Sequence, residues 1–176
     1  AEEMEDKISI ARAKIACVGF AEEIKNLPPN EQFKRVLAKL NEINGDEEKS
    51  PRIKIENSQW VQADFGVLRF RFLDPLRGLP LQFLRVGPHV RDLDPLRGMP
   101  LTQLKCMFAP ISDLGPLKGM PLEELGICRT KVTDLSPLKG LPLTILDCSA
   151  TGVRDLSPLK GMPLTSLNCN KTNVTD

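Results

Sequence analysis

The chain has 176 residues, and its 24 Lys and Arg against 23 Asp and Glu leave a formal net charge of +1. This balance argues against a dedicated binder of nucleic acid or anionic membranes, because such proteins carry a strong excess of positive charge. Hydrophobic residues make up 41% of the chain and there is one His, so the composition excludes wholesale disorder and most histidine-based catalysis.

The first predicted element is an amphipathic helix within residues 2–26, which Pro28 and Pro29 end. Its apolar residues are spaced 4-3-4-3, which places them on one helix face. A stripe of this kind is typical of a coiled-coil helix or of a linker helix that joins an upstream domain. The stripe consists of Met4, Ile8, Ala11, Ile15 and Val18.

A second helix and two strands are predicted next. Asn30 is placed to cap the N-terminus of the helix and Gly45 its C-terminus. Residues 52–56 and 60–65 alternate as strands do, and Asn57-Ser58 suits a tight turn between them. Because the end of a repeat array exposes an apolar layer, we expect this helix and hairpin to cap the repeats that follow. The apolar stripe of the helix consists of Phe33, Val36, Leu37, Leu40 and Ile43.

A 21-residue period dominates the rest of the chain. The segment Asp-Leu-Ser-Pro-Leu-Lys-Gly occurs at 134–140 and again at 155–161, with looser copies from Phe72, Asp92 and Asp113. Five units fill residues 72–176, about 60% of the chain. Self-similarity at a fixed period of this length indicates a solenoid of stacked units.

Each unit begins with a short strand. Leu146 and Cys148 alternate with Ile145, Asp147 and Ser149, which is the two-residue period of a strand. We expect the first pair to point into the core and the alternating set to point outward.

The second half of the unit returns the chain. Thr151 and Val153 are expected to lie where the chain bends and to fill the core. Ser157 is placed as an N-cap before Pro158 at the first helical position. Pro163 then leaves room for about one helical or 3₁₀ turn.

The pattern LxxLxCxxTxVxDLSPLKGMP resembles the leucine-rich repeat, and most closely the short bacterial units, similar to internalin repeats but one residue shorter. The likeness covers residues 72–176 closely and 58–71 loosely. The resemblance implies an α/β leucine-rich-repeat solenoid. This is a right-handed superhelix with short parallel β-strands on its concave face, turns or 3₁₀ segments on its convex face, and an N-terminal helical and β-hairpin cap. Where such repeats carry a laddered Asn, this chain has Thr130, Thr151 and Thr172.

We therefore divide the chain into an N-terminal helical region, 1–50, a β-hairpin capping segment, 51–71, and five repeats, 72–176. The array stops at Asp176 without a cap, which is expected to leave Leu164, Leu167, Cys169 and Val174 with nothing to pack against. Either a neighbour covers this face, as in an end-to-end contact between copies, or the chain is a fragment that has lost further repeats.

The outward strand positions vary between units, whereas the packing positions recur. These positions should line the concave face, which is the usual ligand surface of a solenoid. Bulky anchors together with charge favour protein recognition over the alternative, a solvated sheet surface with no ligand. The candidate binding residues are Phe83, Arg85, Gln103, Lys105, Met107, Glu124, Cys128, Ile145, Asp147, Ser166 and Asn168.

The other reactive or charged residues have simpler interpretations. The five cysteines are an odd number without a CxxC pair, so we expect buried thiols, with Cys128 the one accessible to a probe, and no disulfide or metal site. His89 is expected in an exposed turn. A ladder of basic residues beside the recurring aspartates indicates a solvated face with local ion pairs. The basic ladder consists of Arg77, Arg97, Lys118, Lys139 and Lys160.

The predicted function is non-enzymatic recognition of a protein or peptide, without a cofactor and without nucleic acid. The alternative is a sensory, regulatory or scaffold segment of a larger bacterial signalling protein, because similar arrays often accompany serine/threonine kinase domains. No stretch reaches the ~18 apolar residues of a membrane span. The acidic start and unpaired cysteines slightly favour a cytoplasmic location. A chain that starts at Ala1 without Met is also consistent with a fragment.

Overall fold

The computed structural model describes residues 2–45, 52–56, 59–66 and 68–175. Within these ranges three helices come first: α1 Glu2–Ala16, α2 Phe20–Ile24 and α3 Pro29–Asn44. The strands follow: β1 Arg52–Glu56, β2 Gln59–Asp64, β3 Phe83–Arg85, β4 Gln103–Lys105, β5 Glu124–Gly126, β6 Ile145–Asp147 and β7 Ser166–Asn168. A 3₁₀ turn precedes each of β3–β7: Asp74–Leu76, Asp94–Leu96, Gly115–Leu117, Ser136–Leu138 and Ser157–Leu159. The turn predicted at Asn57-Ser58 lies outside the described residues.

All of these strands form one sheet in chain order. β1 pairs antiparallel with β2, and β2–β7 are parallel neighbours. The repeats pair in register, because the middle residue of each short strand lies opposite the middle residue of the next. These residues are Leu84, Leu104, Leu125, Leu146 and Leu167. The parallel sheet with its 3₁₀ turns confirms the predicted repeat solenoid.

The inward side chains of successive units stack into columns that make one core. The leucines Leu84, Leu104, Leu125 and Leu146 are at most 1% exposed. The next inward column, which is at most 2% exposed, consists of Val86, Cys106, Ile127 and Cys148. The turns close the core from the opposite side with Leu76, Leu96, Leu117 and Leu138. Each buried side chain of this size contributes about 1.5–3 kcal/mol, so the leucine columns carry most of the stabilisation.

Four of the five 3₁₀ turns are capped by aspartate rather than by serine. Leu156 is the N-cap residue of the last turn, with Ser157 inside it, so the predicted Ser157 N-cap is wrong. Instead the backbone N–H of Ser157 donates to the carboxylate of Asp155 at 2.7 Å. Asp134 accepts from the Ser136 N–H at 2.8 Å in the same way. An aspartate side chain accepts a hydrogen bond from the backbone N–H two residues further along without strain. Ser157 lies inside the turn, and its own N–H is the donor that Asp155 satisfies.

Thr130 and Thr151 each form a hydrogen bond within their own unit. The Thr130 hydroxyl donates to the Ile127 carbonyl at 2.7 Å, and the Thr151 hydroxyl donates to the Cys148 carbonyl at 2.6 Å. Both threonines are buried, and both bonds span three residues. The hydroxyl therefore satisfies a buried carbonyl inside each turn, which closes the bend after the strand.

The single helix predicted over residues 2–26 is two helices. The chain breaks at the turn 17–19, where Gly19 has φ of 78°, and α2 then begins at Phe20. A positive φ interrupts the helical hydrogen-bond ladder, and glycine adopts it at little cost. Asn30 also lies inside α3, whose N-cap is Pro28, so the predicted Asn30 cap is wrong. The predicted C-cap at Gly45 is confirmed, with φ of 66° and a hydrogen bond from its N–H to the Asn41 carbonyl.

Helix α3 and the hairpin close the N-terminal end of the core, as expected, and α2 packs with them. Ile24, Val36 and Leu40 are at most 2% exposed and belong to the same core as the repeat leucines. Asn44 fastens the junction, because its side chain accepts from the Phe72 N–H at 2.9 Å and donates to the Phe72 carbonyl at 3.1 Å. β2 also pairs in parallel with β3, so one strand of the hairpin continues the sheet of the repeats.

At the C-terminal end the last layer is partly open. Leu167 is 40% exposed, whereas its equivalents in the preceding four units are buried. Leu164, Cys169 and Val174 are half-buried and pack against the core on one side. The expectation that these three have nothing to pack against is therefore wrong, because the preceding unit covers one side of each.

A candidate recognition surface on the sheet

The register of the strands aligns the outward residues in columns, as the sequence predicts. The first column is Phe83, Gln103, Glu124, Ile145 and Ser166. The second column is Arg85, Lys105, Gly126, Asp147 and Asn168. Because parallel strands lie about 4.8 Å apart, neighbours within a column are close enough to interact directly.

The first column presents both apolar and polar side chains. Ile145 is 40% exposed, which is unusual for a large aliphatic residue, and Phe83 is half-buried beside Gln103. The column therefore offers two apolar positions, one near each end of the sheet, separated by the polar Gln103 and Glu124.

The basic residues of the second column are engaged in ion pairs. Lys105 Nζ lies 2.8 Å from Glu124 Oε1, and Arg85 Nη1 lies 3.4 Å from Asp64 Oδ2. The positive charge of these two residues is thus partly neutralised by acids on the neighbouring strands. Half-exposed pairs of this kind contribute about 0–1 kcal/mol, so a ligand group is able to replace either partner at little cost.

Two other members of the second column have a structural task. The Asp147 carboxylate accepts from the N–H of Ser149 at 3.0 Å and from its hydroxyl at 2.6 Å. Asn168 Oδ1 accepts from the Asn170 N–H at 3.2 Å. These side chains stabilise the bend at the end of their strands, which explains their presence without reference to a ligand.

The third outward column lies two residues further along each unit and consists of Gly87, Met107, Cys128, Ser149 and Asn170. Its Met107 and Cys128 are half-buried. Burial raises the pKa of the Cys128 thiol, with a further contribution from the nearby Asp147 carboxylate. Cys17 and Cys169 are also half-buried, so the prediction that Cys128 alone is accessible is wrong. Cys169 is partly exposed because Leu167 and its neighbours lack a covering layer, and Cys17 lies in the turn after α1.

The expectation of buried thiols is confirmed for Cys106 and Cys148, which are 0% exposed. Burial raises the pKa of Cys148 to about 11 and raises that of Cys106 further. All five cysteines are free thiols.

A ridge beside the third column was not predicted from the sequence. Phe108 is 55% exposed and has φ of 66°, and the Arg129 guanidinium lies 5.3 Å from the centroid of its ring. The same left-handed conformation recurs at Arg129, Ala150 and Lys171. The last four repeats turn the chain at this point, and the Phe108 and Arg129 N–H groups donate to the carbonyls of Cys128 and Ser149. The signal in the sequence was an aromatic residue one place after the third outward column.

The surface also extends by one strand on the N-terminal side. Gln62 lies opposite Phe83 and Asp64 lies opposite Arg85, so both columns begin on β2. Both residues stand 21 positions before their partners, which is the repeat period. The period therefore contained the signal, but residues 58–71 match the repeat consensus only loosely.

Other candidate sites offer less. Within the described residues no cluster of His, Cys, Asp and Glu is suited to hold a metal ion, and no helix is long and apolar enough to cross a bilayer. His89 is exposed in its turn and borders a polar groove of about 430 Å³ beside α1. The predicted pairing of the basic ladder with aspartate is found for Arg77 and Arg97, which bind Asp94 at 3.1 and 3.3 Å.

Comparison with known proteins agrees with this architecture. Internalin C2 from Listeria monocytogenes strain 4b F2365 superposes with a TM-score of 0.57 at 28% sequence identity, over 60% of this chain. The chain is a leucine-rich-repeat protein with short, internalin-like units. A second internalin of the same strain, inlF, matches at 26% identity over 61% of the chain, with a TM-score of 0.46. No family model and no curated protein sequence matches the chain.

The internalin-like part is only a portion of each protein. The match spans 49% of the internalin C2 chain and 40% of the second internalin.

Proposed function

We propose that this chain is a non-enzymatic recognition module that binds a protein or peptide through its concave sheet. The ligand surface comprises the three outward columns together with the Phe108–Arg129 ridge. The N-terminal region, 1–50, and the segment 51–71 close and support the array, and the repeats of 72–176 carry the binding residues.

The observation that carries this proposal is the contrast between constant and variable positions on the same strands. The middle position of β3–β7 is leucine in every unit, whereas the position before it changes from Phe83 to Gln103, Glu124, Ile145 and Ser166. Packing accounts for the first set. We attribute the variable outward positions to recognition, because a ligand that lies along the sheet contacts a different side chain on each strand.

The chemistry of the surface favours a ligand with apolar anchors and charges of both signs. Phe83, Met107 and Phe108 offer apolar contact toward the N-terminal end of the array. The Lys105–Glu124 pair adjoins them, and Arg129 covers part of the Phe108 ring. Aromatic residues and arginine dominate the energetics of protein interfaces, and here they are adjacent.

The proposal is tested first by affinity capture and then with the purified partner. Immobilised chain captures partners from a bacterial extract, and wild-type chain is compared with Phe83→Ala/Arg85→Ala. The affinity of a purified candidate is then measured by calorimetry. We expect the double variant to bind at least about tenfold more weakly, as is usual when an anchor residue is truncated. Phe108→Ala should also lose affinity.

Lys160→Ala serves as the matched control, because Lys160 is exposed just after the last 3₁₀ turn, away from the three columns. It should bind as the wild type does. Far-UV circular dichroism verifies that every variant is folded. If neither Phe83→Ala/Arg85→Ala nor Phe108→Ala lowers the affinity, this surface is not the binding site.

A further inference from the structure

Helix α1 contacts the body of the protein, that is α2, α3 and the repeats, through a narrow strip of side chains. Among the described side chains of α1 only Ala13 is buried, while Ser9 and Ile10 are half-buried. In α3, a helix of almost the same length, Val36 and Leu40 are each 1% exposed. Most of the stability of a helix in a protein comes from packing of its apolar face, and α1 has little of it.

Two open grooves run between α1 and the body. One, of about 430 Å³, lies between Glu5 of α1 and His89 of the first repeat. The other, of about 330 Å³, lies between Arg12 of α1 and Phe72. Together the grooves follow α1 from Glu5 to Ala16. Docking of this helix therefore removes little apolar surface from water.

The opposite face of α1 is open to solvent. Met4, Ile8 and Ile15 are 68%, 47% and 72% exposed. Neither face thus gives this 15-residue helix substantial apolar packing, and a helix of this length is marginal in water on its own. The helix consequently depends on its polar contacts with the body.

The described ion pairs between α1 and the body are made by Lys14. Its Nζ lies 3.2 Å from Asp92 Oδ2 and 3.8 Å from Asp94 Oδ2. All three side chains are partly exposed. Ion pairs of this kind are weak and are screened by salt, so they hold the helix in place without fixing it.

The body provides an excess of negative charge at this point. Three carboxylates lie here, those of Asp74, Asp92 and Asp94, and Asp74 also interacts electrostatically with the lysine of α1. The body itself adds two cations, because Arg77 and Arg97 bind Asp94 at 3.1 and 3.3 Å. The ammonium group of α1 supplies a third positive charge, which favours the docked helix.

The chain that joins α1 to α2 is suited to act as a hinge. It is the turn 17–19, in which Val18 is 83% exposed and Gly19 has φ of 78°. Hinges are short segments that absorb changes in backbone dihedral angles, and glycine does so at little cost. Beyond the turn α2 is fixed to the core by Ile24, which is 2% exposed.

We propose that α1 is a detachable helix, which leaves the body as a unit by rotation about the turn 17–19 while the repeats stay folded. The ion pair between Lys14 and Asp92 favours the docked state. Detachment uncovers Ile43 and Phe72, both half-buried, which line the groove beneath α1. The helix therefore covers an apolar part of the first repeat and α3 in one state and exposes it in the other.

The test is native-state amide hydrogen exchange of the whole 176-residue chain, measured for each residue by NMR. A detached α1 loses its helical hydrogen bonds, so its amides should exchange at least about 100-fold faster than those of Val36 and Leu40 in α3. Raising NaCl from about 0.01 M to about 1 M should accelerate exchange in α1 roughly threefold to tenfold relative to α3. Protection of α1 equal to that of α3, or no response to salt, overturns the proposal.

Lys14→Gln examines the ion pair directly. At low salt it should accelerate exchange in α1 roughly threefold to tenfold and reduce the effect of salt. Arg12→Gln is the matched control, because it removes the same charge from the same helix and Arg12 makes no ion pair within the described residues. It should exchange as the wild type does. If Lys14→Gln has no effect, or Arg12→Gln has an equal one, the proposal is wrong.

Asp92→Asn tests the same contact from the body and leaves the sequence of α1 unchanged. The asparagine retains an acceptor oxygen for the Asp94 N–H, which Asp92 binds at 2.8 Å, so the 3₁₀ turn should stay capped. We expect the variant to accelerate exchange in α1 as Lys14→Gln does. Unchanged exchange in Asp92→Asn would contradict the role given to this pair.

The pattern along the helix distinguishes detachment from fraying. Amides from Ile8 to Ala16 share one opening equilibrium if α1 detaches as a unit, so Lys14→Gln should accelerate all of them by the same factor. Fraying instead produces an effect that declines steadily from the N-terminus. A graded response of this kind overturns detachment as a unit.

Discussion

The carboxylate of Asp155 accepts the backbone N–H of Ser157 at 2.7 Å, and with this bond every donor at the start of the 3₁₀ turn is satisfied. Pro158 has no N–H, and the N–H of Leu159 bonds to the Leu156 carbonyl at 2.9 Å. The recurring Asp-x-x-Pro of the repeat is therefore a capping device. Asp155 is exposed. The hydrogen bonds from the backbone and the hydroxyl of Ser157 hold the pKa of Asp155 below its usual range.

Removing one of these caps should weaken the protein modestly. Asp113 accepts the Gly115 N–H at 2.7 Å, so Asp113→Ala leaves that donor without its partner. We expect a loss of about 1 kcal/mol in the free energy of unfolding, measured with urea. Asp113→Asn, which retains an acceptor oxygen, should lose clearly less. Equal losses in the two variants would show that charge, and not the hydrogen bond, is the stabilising factor.

The Arg77–Asp94 pair should make stability depend on pH. The hydrogen bond from Arg77 lowers the pKa of Asp94 below its ordinary value of 3.8. Its contribution is therefore present above that value and disappears as the pH falls through the lowered pKa. Arg77→Gln should cost less than about 1 kcal/mol at pH 7, because the pair is partly exposed, and progressively less as the pH falls below 3.8. Lys118→Gln, at the same position of a later repeat, should show no such dependence in urea unfolding.

The same substitution should have different effects in the middle and at the end of the array. Leu125 is 0% exposed and Leu167 is 40% exposed, although both are the middle residue of their strands. Leu125→Ala should destabilise by about 2–5 kcal/mol, because it opens a cavity in a packed column. Leu167→Ala should cost about 1 kcal/mol or less. Chemical denaturation of both variants checks this, and similar losses would mean that the last layer is covered in solution.

Two glycines of the sheet surface should respond differently to alanine. A Cβ on Gly87 would lie 2.2 Å from the Leu68 carbonyl oxygen, whereas the nearest neighbour of a Cβ on Gly126 is the Met107 side chain at 3.7 Å. Gly87→Ala should therefore cost about 1–3 kcal/mol, because backbone must move. Gly126→Ala should change the melting temperature little. A tolerated Gly87→Ala would show that the turn at residues 87–89 has room to adjust.

The thiols should differ in reactivity. Iodoacetamide should modify Cys128 and Cys169 in the native protein, and Cys106 and Cys148 only after unfolding. Burial, with a smaller effect of Asp74, raises the pKa of Cys17 to about 11. Alkylation of Cys17 should thus be slow at pH 7 and rise about tenfold per pH unit. Mass spectrometry of labelled peptides measures each rate, and rapid native labelling of Cys148 would contradict the packed core.

The repeat period was enough to predict the strands, the inward leucines and the alignment of the outward columns. These features follow from local spacing, because any stack of identical units places equivalent residues side by side. The ion pairs were not predictable in this way. Whether Lys105 faces Glu124 or solvent depends on rotamers chosen among several neighbours, and Arg85 finds its partner on β2, outside the regular repeats.

Exposure was likewise decided by the tertiary structure. The stripe from Met4 to Val18 and the stripe of α3 are both apolar in sequence, yet Val36 and Leu40 are buried while Ile8 and Ile15 are exposed. A pattern of residues defines a face, but it does not state what that face contacts. The left-handed turn at Phe108 also escaped prediction, because its conformation is imposed by bonds to the next repeat.

The sequence by itself determined that this protein is a solenoid, because a repeated pattern of leucine, aspartate and proline allows only one way to stack and to cap each turn. The tertiary structure decided which surfaces remain open. It placed β2 in the sheet of the repeats, paired Arg85 and Lys105 with acids on neighbouring strands, and left Met4, Ile8 and Ile15 of α1 exposed. These outcomes depend on contacts between elements far apart in the chain, which no local spacing encodes.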